Sequence, residues 1–185
     1  MTDSLSPHRV HKLTQDLRRT YSLATGNNFS RILSCVREPG VQAVIVFRFG
    51  SWLLGQPLIL KIPLTPIYLY LDHRMKAKWG IQIQRRARIG AGFYVGHYGG
   101  IFVSSEATIG TNCTISQNVT IGVAGKGERR GGPTIGDNVY IAPGANVCGR
   151  HIIGNNAQLG PNVVVTMDVP ENALVHLPPM KHVCF

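Results

Sequence analysis

The strongest constraint on the fold is an aliphatic residue that returns every six positions through the second half of the chain. The series begins at Ile83, shifts by two positions at Val103, and resumes at Ile135 after a longer interruption. Its members are Ile83, Ile89, Val95, Ile101, Val103, Ile109, Ile115, Ile121, Ile135, Ile141, Val147, Ile153, Leu159 and Val165. A period of six is typical of a parallel β-helix, in which three short strands form one triangular coil of about 18 residues. The sequence therefore predicts a mainly β protein whose aliphatic side chains point into a prism.

The longer interruption predicts a loop. Residues 122–134 (GVAGKGERRGGPT) cannot be absorbed by a coil and are expected to leave the prism. The loop contains five glycines together with Lys126, Arg129 and Arg130. A plain flexible insertion is one interpretation, but long loops inside compact repeats are more often functional, and the basic side chains favour contact with an anion.

The first 80 residues predict helices. Thr14 is a candidate cap for a helix that ends near Gly26, and a second helix is expected from Ser30 to before Pro39. Residues 41–54 are apolar nearly all round, as in a buried helix, and Thr65-Pro66 is expected to open a last helix that runs to Lys78. We therefore expect a helical region at residues 1–80, with no catalytic group, and a β-helical domain at residues 81–185.

The net charge and the cysteine content indicate which partners the protein binds and in which compartment it is found. Lysine and arginine total 19 against 9 acidic residues, a net charge of +10, which favours an anionic partner such as acidic lipid, a phosphorylated cofactor or an acidic polysaccharide. Nucleic acid is a weaker interpretation, because the only tight arginine cluster on a strand is at residues 85–88. The four cysteines lie far apart, the N-terminus has no apolar signal core, and no uncharged run reaches the ~20 residues of a membrane span, so we expect a cytoplasmic protein. A peripheral contact with the inner membrane face stays open.

Three segments carry a resemblance to a known family. IGAGFYVGHYGGIFV at residues 89–103, NVTIGVAGKG at 118–127 and PTIGDNVYIAPGANV at 133–147 resemble the left-handed β-helix acyltransferases. Within them, the similar groups are the serine O-acetyltransferases and their relatives that acetylate polysaccharide sugars. The resemblance implies a left-handed parallel β-helix, a homotrimer with active sites between adjacent prisms, and acetyl transfer from acetyl-CoA to a hydroxyl. A carbonic anhydrase of the same fold needs three histidines for zinc, and because no histidine lies between His97 and His151, we expect no metal.

The resemblance places the catalytic histidine at His97. A histidine is a suitable base for an alcohol nucleophile near neutral pH. Gln82 stands fifteen residues earlier, where the serine enzymes carry an aspartate that orients the histidine, and is expected to accept a hydrogen bond from it. Gly96 precedes the histidine, and Tyr94 and Tyr98 are candidates for a flat contact with a sugar ring.

The same alignment shows departures from the serine enzymes. Gln82 and Gly96 stand at two family aspartates, and Gly132 stands at a second histidine. Glu106 is the nearest carboxylate in sequence that is a candidate replacement. Because an ammonium group needs a carboxylate partner, and because GHYGG at residues 96–100 resembles the capsular and colanic-acid type enzymes, we expect a sugar or polysaccharide acceptor, lipid-linked or acidic. The alternatives are a serine O-acetyltransferase of cysteine biosynthesis and a non-catalytic trimeric assembly protein.

The resemblance also implies a path for acetyl-CoA. Two pairs, Ala142-Pro143 and Gly160-Pro161, match positions where the pantetheine arm follows the backbone. Lys126 in the loop and Lys181 in the tail are the expected partners of its phosphates. The tail departs from the usual family ending.

Overall fold

The computed structural model describes residues 8–127 and 130–178. The chain begins with four helices: α1 (His8–Leu23), α2 (Asn28–Arg37), α3 (Pro39–Leu54) and α4 (Leu58–Trp79). Asn27 caps α2, because its side-chain oxygen accepts a hydrogen bond of 2.9 Å from the Ser30 N–H. In the described part of the chain, no helix has the length and apolar character that crossing a membrane requires.

The predicted start of the last helix is wrong. The helix begins at Leu58 and runs through Pro63 and Pro66, although each proline removes one backbone hydrogen bond. The carbonyls that lose a donor are four residues earlier, at Ile59 and Ile62, and those residues are 80% and 69% exposed, so water can satisfy them. The first helix also begins six residues before its predicted cap at Thr14.

Each coil of the second half contributes short strands to three parallel sheets. Sheet A contains β1 (Ile81–Ile83), β4 (Ile101–Val103), β7 (Thr120–Gly122), β10 (Asn146–Cys148) and β13 (Val164–Val165). Sheet B contains β2 (Arg88–Ile89), β5 (Thr108–Ile109), β8 (Thr134–Ile135) and β11 (Ile152–Ile153). Sheet C contains β3 (Tyr94–Val95), β6 (Thr114–Ile115), β9 (Tyr140–Ile141), β12 (Gln158–Leu159) and β14 (Leu174–Val175). We name the turns between them corner AB, corner BC and corner CA.

The register confirms the hexapeptide interpretation. Ile89 pairs with Ile109, which pairs with Ile135, so the inward aliphatic residues of successive coils lie on top of one another. Every predicted inward residue from Ile83 to Val165 is buried. The predicted fold class, a mainly β parallel β-helix preceded by helices, is therefore confirmed.

Two of the corners place a residue in the left-handed backbone region. At corner BC this residue is Gly92 in the first coil and then Asn112, Asn138, Asn156 and Asn172, with φ values between 54° and 72°. Asparagine tolerates this region better than other residues with a side chain. The amide of Asn138 donates to Asn156 at 3.1 Å, and the amide of Asn156 donates to Asn172 at 3.0 Å, so the corner is joined from coil to coil.

The helices close the open end of the first coil. Arg48 on α3 forms an ion pair of 2.8 Å with Asp16 on α1 and donates to the backbone carbonyl of Ile89 at 2.8 Å. The other oxygen of Asp16 accepts a hydrogen bond of 2.8 Å from the Phe93 N–H.

Candidate active site

His97 lies at corner CA, in the turn of residues 96–100 between β3 and β4. Its side chain is exposed, and the next glycine, Gly99, has open space around its Cα. Gly100 has a φ of 64°, and a Cβ added there would lie 2.2 Å from the side-chain oxygen of Asn118, so a side chain at this position would be strained and would displace Asn118. The imidazole is thus presented at an open, glycine-rich surface where an acceptor can approach.

The end of α4 supports this turn. The rings of Trp79 and Tyr98 meet edge to face with centroids 5.0 Å apart, and the Ile101 N–H donates to the Gly80 carbonyl at 3.0 Å. Tyr98 is therefore held by the helix and has 53% of its surface exposed.

Gln82 is two residues beyond Gly80 in β1 and is half-buried. No hydrogen bond joins Gln82 to His97 within the described ranges, so its predicted role in orienting the imidazole stays a prediction.

Tyr94 lies on the other side of Gly96. A Cβ added at Gly96 would lie 3.4 Å from the Tyr94 ring, so the ring flanks the His97 turn. Burial raises the pKa of the Tyr94 hydroxyl, the Glu38 carboxylate raises it further, and Arg19 lowers it. Tyr94 therefore lies near charged side chains of the helical region and also beside the His97 turn.

The predicted acetyl-CoA positions lie on the same corner as His97, in later coils. The Asn118 N–H donates to the Gly99 carbonyl at 2.8 Å, the Gly144 N–H to Gln117 at 3.0 Å, and the Asn162 N–H to Pro143 at 2.9 Å. Ala142-Pro143 and Gly160-Pro161 are therefore stacked below the His97 turn. At about 4.8 Å per coil, the column from the His97 turn to Gly160 is roughly 14 Å long.

One residue of this column was not predicted from the sequence. The side-chain oxygen of Gln117 is buried and has no hydrogen-bond partner among the described residues. A buried amide oxygen of this kind is costly unless it is paired, so it marks a place where a bound donor is expected. The hexapeptide register alone could have placed Gln117 in this column, because it stands one coil below the His97 turn.

The basic loop leaves the prism at corner AB, on the other side of sheet A. Ala124 and Gly131 form an antiparallel bridge at its base, and Lys126 is exposed. Glu106, from the coil above, forms an ion pair of 3.4 Å with Arg130. Arg129 and Lys181 lie outside the described residues.

The position of Glu106 separates it from His97 within one chain. The two residues stand at opposite ends of β4, at corner AB and corner CA respectively. Glu106 therefore does not replace the missing aspartate beside His97 of the same chain.

Gly132 has no room for a side chain. A Cβ added there would lie 2.7 Å from the backbone carbon and oxygen of Glu106. The family histidine that aligns with Gly132 thus has no counterpart here, because the loop packs directly against the preceding coil. The described residues also contain no group of three histidine, cysteine or acidic side chains placed to hold a metal ion.

Comparison with known proteins agrees with this geometry. Residues 132–166 match the family model described as bacterial transferase hexapeptide (six repeats). The serine acetyltransferase of Synechococcus elongatus is 34% identical over 148 residues, which cover 80% of this chain and 57% of that protein. The serine acetyltransferase of Staphylococcus aureus is 43% identical over 96 residues, which cover 52% of this chain and 45% of that protein. The chain thus spans about half the length of these curated relatives.

Solved structures give the same result. The crystal structure of the Neisseria gonorrhoeae serine acetyltransferase is 30% identical, with a TM-score of 0.76 over 97% of this chain and 66% of that chain. Its complex with serine is 29% identical, with a TM-score of 0.76 over 96% of this chain and 70% of that chain.

These matches overturn the predicted acceptor. The expectation of a sugar or polysaccharide, and of a member of the polysaccharide branch, is wrong, because the relatives found are serine acetyltransferases. The chain matches these relatives although Gln82, Gly96 and Gly132 stand where the resemblance places two aspartates and a histidine. From its repeat, its coil register and these matches, the chain belongs to the hexapeptide-repeat transferase family and has the parallel β-solenoid fold of serine acetyltransferases.

Proposed function

We propose that this protein transfers an acetyl group from acetyl-CoA to the hydroxyl of L-serine. The observation that carries the proposal is the likeness, over 96% of the chain, to a serine acetyltransferase in complex with serine. The exposed imidazole of His97 in its open turn supplies the group that such a reaction requires.

His97 acts as the general base. It accepts the hydroxyl proton as the serine oxygen attacks the thioester carbonyl carbon of acetyl-CoA, and the new C–O bond forms. The C–S bond then breaks, and the imidazolium returns the proton to the departing thiolate. Negative charge develops on the carbonyl oxygen in between. The backbone N–H groups of residues 97–100 donate no hydrogen bond to the described part of the chain, so they are candidate donors to that oxygen.

Corner CA is suited to the pantetheine arm. The unpaired oxygen of Gln117 is buried, and it can accept a hydrogen bond from an amide N–H of the arm once its side chain turns outward. Ala142, Pro143, Gly160 and Pro161 continue the column with little side-chain bulk. The proposed partners of the phosphates are Lys181 and Lys126. Because Lys126 stands in the loop at corner AB, it would come from an adjacent copy.

The charges of the amino acid require groups from another copy. Serine presents an ammonium and a carboxylate, and Glu106 with Arg130 offers one charge of each sign. Because this pair lies at corner AB, we propose a homotrimer in which corner AB of one prism faces corner CA of the next. An adjacent copy then completes the acceptor site beside His97.

The test is release of free CoA from acetyl-CoA by the purified protein, with L-serine, glycerol or a sugar panel as acceptor. We expect turnover with L-serine and a fall of about 10²–10⁴-fold in kcat for His97→Ala. The matched control is His73→Ala, which removes an exposed histidine on α4 and is expected to keep wild-type turnover. Turnover that favours a sugar, or that survives in His97→Ala, would overturn the proposal. Absence of both turnover and acetyl-CoA binding would favour the non-catalytic alternative.

A further inference from the structure

A cavity of about 890 Å³ lies between α3 and the first coil, away from corner CA. One wall is the outward stripe of α3, formed by Ile45, Phe49 and Trp52. The facing wall is formed by corner AB of the first coil and the start of sheet B, at residues 85–90. Its volume falls within the range of about 300–1,000 Å³ that small-molecule sites occupy.

The helix wall is apolar although it faces solvent. Ile45 is 37% exposed, and the rings of Phe49 and Trp52 stack at 6.0 Å beside it. The opposite face of the same helix is buried in the core, and Phe49 and Trp52 also pack partly against that core. The apolar surface left to the cavity is the exposed part of Ile45 and the outer parts of these two rings. Exposed apolar surface that lines a concavity is typical of a binding site.

The facing wall is cationic and contains no acid. Arg85, Arg86 and Arg88 belong to this wall, while Lys12 of α1 and Arg48 of α3 line the cavity from the helix side. No aspartate or glutamate is among the described lining residues.

These cationic side chains differ in whether they already interact with another residue of the chain. Arg48 is held by Asp16, and Arg85 stacks over the Tyr68 ring at 5.0 Å. The side chains of Arg86 and Arg88 are exposed and form no ion pair or hydrogen bond within the described ranges. These two guanidinium groups are available to an anion, which they can bind through paired N–H donors.

We propose that this cavity binds a single-chain anionic amphiphile, with its tail against Ile45 and Trp52 and a phosphate or carboxylate head at Arg86 and Arg88. The apolar wall and the cationic wall face each other across one cavity, and only a molecule with both characters satisfies both. Within one chain the cavity is separate from the His97 turn, because Arg86 and Arg88 flank corner AB of the first coil and His97 lies at corner CA.

The test uses Trp52 as the reporter. The chain has two tryptophans, so Trp79→Phe leaves Trp52 alone in the cavity wall, and the wild-type protein is titrated in parallel. The probes are dodecyl phosphate below its micelle concentration, laurate, dodecyltrimethylammonium with the same tail and the opposite charge, and inorganic phosphate without a tail. We expect a saturable change in Trp52 emission with the two anionic amphiphiles and no saturable change with the other two probes.

Variants assign the binding to the two walls. The pair Arg86→Gln with Arg88→Gln is expected to raise Kd at least about ten-fold, the loss that corresponds to charge-assisted hydrogen bonds. Ile45→Asn is expected to raise Kd without removing the preference for anions. The matched control is Arg18→Gln with Arg37→Gln, which removes two exposed arginines outside the cavity and is expected to leave Kd unchanged.

Three results would overturn the proposal. The first is equal binding of the cationic and anionic amphiphiles, and the second is an unchanged Kd in the Arg86 and Arg88 double variant. The third is a response to phosphatidylglycerol vesicles without any response to monomeric dodecyl phosphate, which would make the surface a membrane contact.

Discussion

The carboxylate of Asp16 and the guanidinium of Arg48 form a buried ion pair across α1 and α3, with side chains 3% and 9% exposed. Both groups also bond to the backbone of the first coil, at Phe93 and Ile89 respectively. The pair therefore joins two helices to the solenoid and satisfies its open edge at the same time.

Removal of Asp16 alone should lower the free energy of unfolding by much more than the intact Asp16–Arg48 pair contributes to it. Asp16→Ala leaves Arg48 buried without its counter-charge and the Phe93 N–H without its acceptor, so we expect a loss of about 3–5 kcal/mol in the free energy of unfolding. Urea denaturation measures it. The comparison is Glu106→Gln, which breaks an exposed pair and should cost under about 1 kcal/mol. Losses of equal size in the two variants would contradict the structural role of Asp16.

A carboxylate at Gly96 should improve binding of the amino acid. A Cβ at this position meets only ordinary contacts, the nearest at 3.4 Å, so Gly96→Asp is expected to fold. The new charge beside His97 gives the ammonium of serine a partner, and we expect KM for L-serine to fall about ten-fold, the equivalent of about 1.4 kcal/mol. Gly96→Asn has the same size without the charge, and an equal fall of KM in that variant would show that charge is not the cause.

Gly132 should resist any side chain. Gly132→Ala places a Cβ 2.7 Å from the backbone of Glu106, and neither backbone segment can move without disturbing the coil. We expect a loss of roughly 1–3 kcal/mol in the free energy of unfolding, typical of overpacking. Gly96→Ala is the control and should change stability by less than about 0.5 kcal/mol. A neutral Gly132→Ala would mean that the loop can lift away from the coil.

Tyr68 should make stability depend on pH in the alkaline range. Burial and then the nearby Asp72 carboxylate raise the pKa of Tyr68 to about 12 from 10.0, while Arg85 opposes the shift. The folded protein therefore holds this proton more tightly than the unfolded chain. The stabilisation is complete below about pH 10 and is lost as pH rises toward about 12.

Replacement by phenylalanine isolates this effect. We expect the stability difference between the wild type and Tyr68→Phe to fall as pH rises from about 9 to about 11, measured by urea denaturation of both proteins at each pH. Other titrating groups are shared by the two proteins and cancel in the difference. A difference that stays constant over this range would contradict the assignment.

The solenoid could be predicted because its information is local and repeated. The inward positions from Ile83 to Val165 and the extruded loop follow directly from a period of six. The start of α4 could not be predicted, since Pro63 and Pro66 normally end helices and are accepted here where water reaches the freed carbonyls. The Asp16–Arg48 pair has no periodic signature, because it forms between positions 32 residues apart.

The acceptor was harder to predict than the reaction. The resemblance predicts His97 as the base and the column below it for acetyl-CoA, and both predictions depend on one corner of one chain. The choice of acceptor depends on charged side chains that come from different turns. In our proposal these turns belong to different copies of the chain. The absence of a carboxylate at Gly96 is therefore weak grounds for excluding serine, because Glu106 and Arg130 carry both charges elsewhere.

The asparagines of corner BC have a consequence for how this architecture changes over evolution. The side-chain amides of Asn138, Asn156 and Asn172 bond to one another from coil to coil, so each of these three coils repeats the same joint. Whole coils are thus interchangeable modules, and the solenoid can gain or lose a coil without a different turn structure at this corner. A single-residue insertion has the opposite effect, because it moves an asparagine out of the left-handed position and breaks the alignment above and below. Lineages with this fold should accordingly vary in steps of one coil, or by growth of a loop that leaves the prism.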